Sequence, residues 1–240
     1  MIENKISFRF MAVVAMVLFA SNAFAGVVVS GTRVVYDANK QEVMVKLTNK
    51  GSKAVLVQSW IDDGDPKAVP SEIQVPFILT PPINRINAEK GQTLRISYTG
   101  EALPKDKESV FWLNVLEVPA KNKELEGENY LQMAFRTRIK LFFRPENLKG
   151  NANLAIEEVQ WKKKDNSISA YNPTPFHISL QGFNLVNGKQ VHNIEGVMIA
   201  PFSTHDFSDI DAKYMAKGTE YFANYIDDYG AIRPHTIIIK

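Results

Sequence analysis

The 240-residue sequence contains no cysteine. That excludes disulfides as a source of stability, and with them iron–sulfur centres, thiolate zinc sites and a thiol nucleophile. Histidine is nearly as scarce. His177, His192, His205 and His235 are the only four, all in the second half, and none has the His-Glu-x-x-His spacing of a metal site. Each reads as a surface or strand residue, so no metal is expected. Ser203, Thr204, His205 and Asp206 are the residue types of a catalytic triad, but neighbours along a strand point to opposite faces and cannot relay a proton. No glycine-rich phosphate loop precedes a helix pattern. The residues therefore point to a protein that is not an enzyme and carries no cofactor. The net charge of +2 and the single short run Lys162-Lys163-Lys164, which reads as a solvated hairpin end, give nucleic acid no bulk attraction.

Long apolar runs are absent too, except at the start. Lys5 and Arg9 precede an apolar run over 11–19 that is too short to span a bilayer, and Ala23-Phe24-Ala25 has the small-x-small pattern of a cleavage site. Residues 1–25 are expected to be a signal peptide, which leaves Gly26 first and places the mature protein beyond the inner membrane without membrane insertion. The remainder is long enough for two cores of about 100 residues each. Without disulfides, those cores must supply the stability.

The segment 129–145 organises the rest. Leu131, Met133, Phe135, Thr137, Ile139, Leu141 and Phe143 alternate with a row that includes Arg136, Arg138, Lys140 and Arg144. A period of two predicts a strand with one apolar face. Over 131–144 it would extend roughly 45 Å at about 3.3 Å per residue, against about 17–20 Å for an ordinary strand. Two readings follow. The strand closes its own sandwich, with cations guarding a sheet edge, or its first apolar residues are offered to another protein by β-strand addition.

Strand signals fill both halves. In the first they fall at 27–36, at Val43, Val45 and Leu47, at 55–61, at 77–80 before Pro81-Pro82, at Leu94, Ile96 and Tyr98, and at 109–118. With turn chemistry at Asn49-Lys50-Gly51-Ser52 and at 62–66, this is about seven short strands, the pattern of an immunoglobulin-like sandwich. A polar stretch at 120–130 reads as a hairpin loop. Pro145 cannot continue a ladder, and the polar residues to Gly150 suggest a boundary, giving domains at 26–146 and 147–240. Beyond it, strands are expected at 154–161, 168–171, 176–185, 197–199, 221–226 and 236–239, with turns at Asn172-Pro173-Thr174-Pro175 and Asn187-Gly188.

Several blocks resemble one family. Gly31-Thr32-Arg33-Val34-Val35-Tyr36, Gln58-Ser59-Trp60, Thr80-Pro81-Pro82, Leu103-Pro104, Glu108-Ser109-Val110-Phe111-Trp112-Leu113-Asn114-Val115, Arg138-Ile139-Lys140-Leu141-Phe142-Phe143-Arg144-Pro145 and Asn172-Pro173-Thr174-Pro175 are similar to the periplasmic pilus chaperones of the chaperone–usher pathway, the PapD-like family. The blocks occur in family order from Gly26 almost to the C-terminus. The resemblance implies an all-β fold of two immunoglobulin-like β-sandwich domains in a boomerang arrangement with an interdomain cleft. It further implies that Arg33 and Lys140 bind the C-terminal carboxylate of a pilus (fimbrial) subunit, and that Leu131, Met133 and Phe135 fill the groove of a subunit lacking its last strand. Glu108, Arg144 and Asp228 match a charged set that ties the domains together. The implied partners are fimbrial subunits and an outer-membrane usher, the implied location is the periplasm, and no nucleotide is needed because subunit folding supplies the free energy. The loop at 120–130 resembles the short-loop branch of the family.

A second reading from the residues is a secreted two-domain adhesin or carbohydrate-binding module, with Trp60, Trp112 and Trp161 as its platform. That reading needs coplanar rings facing solvent, whereas the chaperone reading expects Trp60 and Trp112 in or beside the first core.

Overall fold

The computed structural model describes residues 26–120, 129, 131–164, 166–208, 210–215 and 218–239. The signal peptide expected over 1–25 and most of the loop expected at 120–130 lie outside these residues.

The first half is nine strands: β1 (Val27–Val29), β2 (Arg33–Asp37), β3 (Glu42–Asn49), β4 (Val55–Asp62), β5 (Phe77–Thr80), β6 (Ile83–Ile86), β7 (Gly91–Tyr98), β8 (Ser109–Pro119) and β9 (Phe135–Arg144). They form a sheet in the order β1-β3-β7-β5 and another in the order β2-β9-β8-β4-β6. The β-branched run at 27–36, expected as one strand, is two. Gly31 holds a left-handed φ of 96°, a conformation costly for residues with a Cβ, and there the chain steps from one sheet to the other. That step brings β2 beside β9 in parallel, with Arg33 opposite Lys140 and Asp37 opposite Arg144.

Alternation places Val34, Tyr36, Val45, Leu47, Val57, Leu94, Ile96, Leu113, Val115, Leu141 and Phe143 inside the first sandwich. Tyr36 is packed among Phe77, Tyr98 and Phe143, and its hydroxyl accepts from Tyr98 N at 3.1 Å, so even this buried phenol is satisfied.

The expected continuous strand from 131 begins four residues late. β8 ends at Pro119, and Phe135 is already opposite Glu117. Carried on, that register would set Ala134 opposite Val118 and Met133 opposite Pro119, but the ladder stops at Phe135, so 131–134 form no regular strand although β8 runs two residues further.

The second half builds β10 (Gln160–Lys164), β11 (Ser167–Tyr171), β12 (Ile178–Asn187), β13 (Gln190–Glu195), β14 (Met198–Ile199), β15 (Thr204–Phe207), β16 (Glu220–Ile226) and β17 (Ile232–Ile237). One sheet runs β10-β11-β15 and the other β13-β12-β16-β17, with β14 also on β12. The strand expected at 154–161 is mostly a 3-10 helix, Ala152–Glu158, capped by the Asn151 side chain accepting from Asn153 N at 2.9 Å. Its Ala155 and Ile156 are buried together, a helical adjacency that strict alternation does not anticipate. β13 and β15 were not expected. β13 alternates weakly and is largely exposed, whereas the Asn187-Gly188 turn that starts it was legible. This second sandwich has its own core around Trp161, Phe183, Leu185, Phe207 and Tyr221, and Leu148 packs against it. The all-β, two-sandwich expectation holds.

Asn172 fixes the turn that faces the first domain. It is fully buried, its Nδ2 donates to Phe176 O at 2.7 Å and Ala200 O at 3.0 Å, and its Oδ1 accepts from Thr174 N and Thr174 Oγ1. The resulting turn presents Pro175 O to Glu108 N at 2.9 Å across the domain junction. Asn172→Ala strands these buried carbonyls, and we expect it to destabilise the second domain by roughly 1–3 kcal/mol in a urea melt. A melt that matches wild type would show the turn to be held by Pro173 and Pro175 alone.

Candidate functional site

Arg136, Arg138, Lys140, Phe142 and Arg144 share one face of β9, while Ile139, Leu141 and Phe143 face the core. Phe142 is buried, and Arg144 is tied to two carboxylates. Its Nε donates to Glu108 Oε1 at 2.7 Å, and its Nη1 and Nη2 donate to Asp228 Oδ2 and Oδ1 at 2.8 and 3.0 Å. Burial works to lower its pKa, but the two carboxylates outweigh it and raise the value further above the ordinary guanidinium range. The structure thus brings together Glu108, Arg144 and Asp228, which are far apart in sequence.

Two residues that sequence reasoning missed complete this junction. Glu108 also accepts from His177 N at 2.8 Å, and the His177 ring lies against Phe142 with centroids 5.6 Å apart. His177 is therefore a half-buried residue of the domain junction, its side chain 6 % exposed, and not the surface or strand residue expected. Asp227, the other, holds the β16–β17 turn. Its Oδ1 accepts from Tyr229 N and Ala231 N, and its Oδ2 from Arg233 Nε. Gly230 in that turn has φ 83° and touches Thr32, where a Cβ would collide with the threonine hydroxyl. Only a glycine lets the turn seat beside the start of β2.

Arg33 and Lys140 differ from the other cations. Arg33 Nη1 donates to Ile226 O at 2.9 Å and Lys140 Nζ to Ser179 Oγ at 3.2 Å, so both reach across the cleft to the second domain. Arg33 Nε is buried without a partner. Among the described residues neither cation has a carboxylate at ion-pair distance, whereas Arg136, Arg138 and Arg144 each have one. Burial lowers the pKa of Lys140, and the adjacent Arg33 charge lowers it further. Burial lowers that of Arg33, with Asp228, Asp227 and Glu108 opposing. Two desolvated like charges on neighbouring strands cost stability, and an anion set between them would relieve that cost.

The pair also marks the end of an open sheet edge. β2 pairs β9 only from Lys140 onward, so among the described residues 135–139 are bonded to β8 on one side and to no strand on the other. Leu131, Met133 and Phe135 are 85, 57 and 63 % exposed. Of the three, only Phe135 belongs to the strand.

Arg136 and Arg138 are pinned flat. Asp62, buried on β4, accepts from Arg138 Nε at 3.0 Å, Asn114 Nδ2 at 2.7 Å and Gly64 N at 2.8 Å, and Asn114 Oδ1 accepts from Arg136 Nε at 2.8 Å. Their guanidinium groups cover Trp60 at 5.0 Å and Trp112 at 4.6 Å. The two tryptophans therefore lie on the outer face of the sheet, not in the first core. Neither offers an open ring as a sugar platform would, and Trp161 is 4 % exposed inside the second core. Asn114 carried a signal in sequence, as a polar residue inside the apolar run 109–118, whereas Asp62 reads there as the first residue of a loop.

Comparison with known proteins places this geometry. Residues 26–149 match the family model described as pili and flagellar-assembly chaperone, PapD N-terminal domain, and residues 154–237 match the one described as pili assembly chaperone PapD, C-terminal domain. The chain belongs to the PapD-like pilus-assembly chaperone family. It is 43 % identical over 225 residues to the chaperone protein FimB/FhaD of Bordetella pertussis, covering 92 % of this chain and 91 % of that one. It is 43 % identical over 221 residues to the probable fimbrial chaperone YadV of Escherichia coli, covering 88 and 89 %. Its structure is similar to the crystal structure of the CupB2 chaperone of Pseudomonas aeruginosa, with TM-score 0.76, 36 % identity, and coverage of 89 % of this chain and 100 % of that one. A complex of SafA pilin with the SafB chaperone from Salmonella enterica matches with TM-score 0.74, 26 % identity, and coverage of 91 and 98 %. Members of this family are chaperones, not enzymes.

The Asp62 network makes a pH prediction. Burial raises the carboxyl pKa, but hydrogen bonds from Arg138, Asn114 and Gly64 outweigh it and hold the group below its ordinary 3.8. Its ionised form therefore stabilises the fold in full above that ordinary value, and the contribution is lost as pH falls through the lower folded value. We expect Asp62→Asn to cost roughly 1.5–3 kcal/mol at pH 7 and to shrink the loss of stability on acidification, read from melts between pH 7 and pH 2. Parallel acid limbs in the two proteins would exclude Asp62 as a contributor.

Proposed function

We propose that this chain is a periplasmic chaperone that completes a pilus subunit lacking one strand and passes it to an outer-membrane usher. The observation that carries the reading is the coincidence of β9's open edge with the unpaired cations at its end. A subunit strand laid along 135–139 with its terminal carboxylate between Arg33 and Lys140 runs parallel to β9, the direction β2 already takes. Backbone hydrogen bonds along the edge supply affinity, and the two cations set register by holding the last residue.

Leu131, Met133 and Phe135 then enter the groove left by the subunit's missing strand. Each apolar side chain fully buried there stabilises the complex by about 1.5–3 kcal/mol, before the cost of ordering 131–134. Glu108, Arg144 and Asp228 hold the two domains so that the cleft keeps its cations aligned. The proposal places the leader at 1–25 and the domains at 26–146 and 147–240. Pilin capture by SafB and the strong likeness to named fimbrial chaperones support it.

Arg33→Ala and Lys140→Ala are each expected to weaken subunit capture by about tenfold or more, since a charge-assisted hydrogen bond is worth roughly 1.5–3 kcal/mol. Copurification of subunit from the periplasm reads this beside a thermal melt of the free chaperone, which should change little. Normal subunit recovery from both variants would refute the carboxylate anchor, and a collapsed melt would make the pair structural. Replacing Met133 and Phe135 together with Asp should abolish capture while the free protein melts as before, because those charges would have to be buried in the subunit. Undiminished complex from that double variant would rule out donation of this segment.

A further inference from the structure

Along β8 the odd positions Phe111, Leu113 and Val115 are buried core residues, and the next odd position is Glu117. A carboxylate has thus been placed on the apolar face of a strand, at the mouth of a cleft of about 470 Å³ lined by Val27, Val55, Val115, Phe135 and Thr137. Such a charge calls for a partner. Among the described residues it accepts one hydrogen bond, from Val27 N to Oε2 at 2.7 Å. Among the described residues no side-chain cation lies at ion-pair distance, although Lys53 lines the same cleft.

Gly26 sits directly against this carboxylate. A Cβ on Gly26 would overlap both Glu117 oxygens and lie 2.8 Å from Cδ, while the glycine carbonyl accepts from Lys50 N at 3.0 Å. The Gly26 nitrogen, bonded to the same Cα, is therefore within about 5 Å of the carboxylate. In a chain with its leader attached, that nitrogen is a neutral amide. Cleavage after Ala25 turns it into an ammonium.

We propose that Glu117 is the receiving site for the α-ammonium of Gly26, so that leader removal completes the pole of the first sandwich from which β9 and its donor segment emerge. This rests on the cleavage position and the periplasmic reading above. Glu117 stands opposite Phe135, and Val27 begins the strand that edges the other sheet, so the ion pair staples the two sheets together at that pole. Lys53 is the other charged group facing the site and competes for the same carboxylate. Glycine after the cleavage site leaves the carboxylate this seat, which a side chain there would push it out of.

The sign of the linkage is fixed by the charges. A partnered ammonium has its pKa raised, so its contribution is present in full below the ordinary α-amino value of about 7.7–8.0 and is lost as pH rises through the folded value. The test uses purified mature protein with its N-terminus verified by mass, and follows the α-amino titration by NMR in wild type, Glu117→Gln and Lys53→Met. Wild type should titrate above the ordinary range, Glu117→Gln should fall back into it, and Lys53→Met should stay at or above wild type. Chemical acetylation directed to the α-amino group should lower the melting temperature of wild type at pH 7 and leave that of Glu117→Gln unchanged. Equal titration in wild type and Glu117→Gln, or equal effects of acetylation on both, overturns the proposal. Subunit capture is not part of this readout, so failure here is distinguishable from failure of the chaperone reading.

Discussion

The rest of the structure depends on the parallel pairing of β2 with only the last five residues of β9. Because β2 stops short, β9 has two halves with different fates. Its C-terminal half is a central strand, bonded on both sides and driven into the core through Leu141 and Phe143. Its N-terminal half remains an edge, the arrangement that proteins ordinarily avoid because unpaired backbone groups recruit other chains. The pairing also determines where the recruitment must end. Arg33 and Lys140 meet at the first rung of the closed half, so a strand added to the open half runs straight into two positive charges.

Charge around the rung leaves it unsatisfied. Asp62 and Asn114 hold Arg136 and Arg138 flat over Trp60 and Trp112, while Glu108 and Asp228 saturate Arg144. The cations on either side of Lys140 along β9 are thus neutralised by carboxylates of the chain itself. Among the described residues, Arg33 and Lys140 are left with a carbonyl and a hydroxyl, both supplied by the second domain. The charged junction joins the two domains through Arg144 and Asp228, and the second domain covers the pair. Under the function proposed above, donors preorganised in this way would bind a carboxylate without the cost of gathering them first.

Much of this was legible in sequence, for reasons that differ by residue. The alternation from Phe135 to Phe143 is a local pattern, and it identified β9 directly. Arg33, Lys140 and the charged trio are not local. Each is an ordinary surface cation or anion by itself, and family resemblance supplied the grouping that geometry then displays. Where alternation failed, a neighbouring strand decided. Residues 131–134 have strand periodicity, but their ladder with β8 stops at Phe135, and 152–158 pack as a 3-10 helix because Ala155 and Ile156 are buried side by side. Trp60 and Trp112, expected in or beside the first core, lie outside it on the outer face, and nothing local reveals that Arg136 and Arg138 will roof them there. His177 was illegible because its partners, Glu108 and Phe142, belong to the other domain.

Amide hydrogen exchange on β9, in the free protein and in its complex with a copurified pilus subunit, tests the central claim most directly. The account predicts that alternate amides of 135–139 exchange readily in the free protein and become strongly protected in the complex. Amides of 140–144, already bonded on both sides, should be protected in both states. Unchanged exchange over 135–139 on subunit binding, with protection gained on another strand, would contradict it.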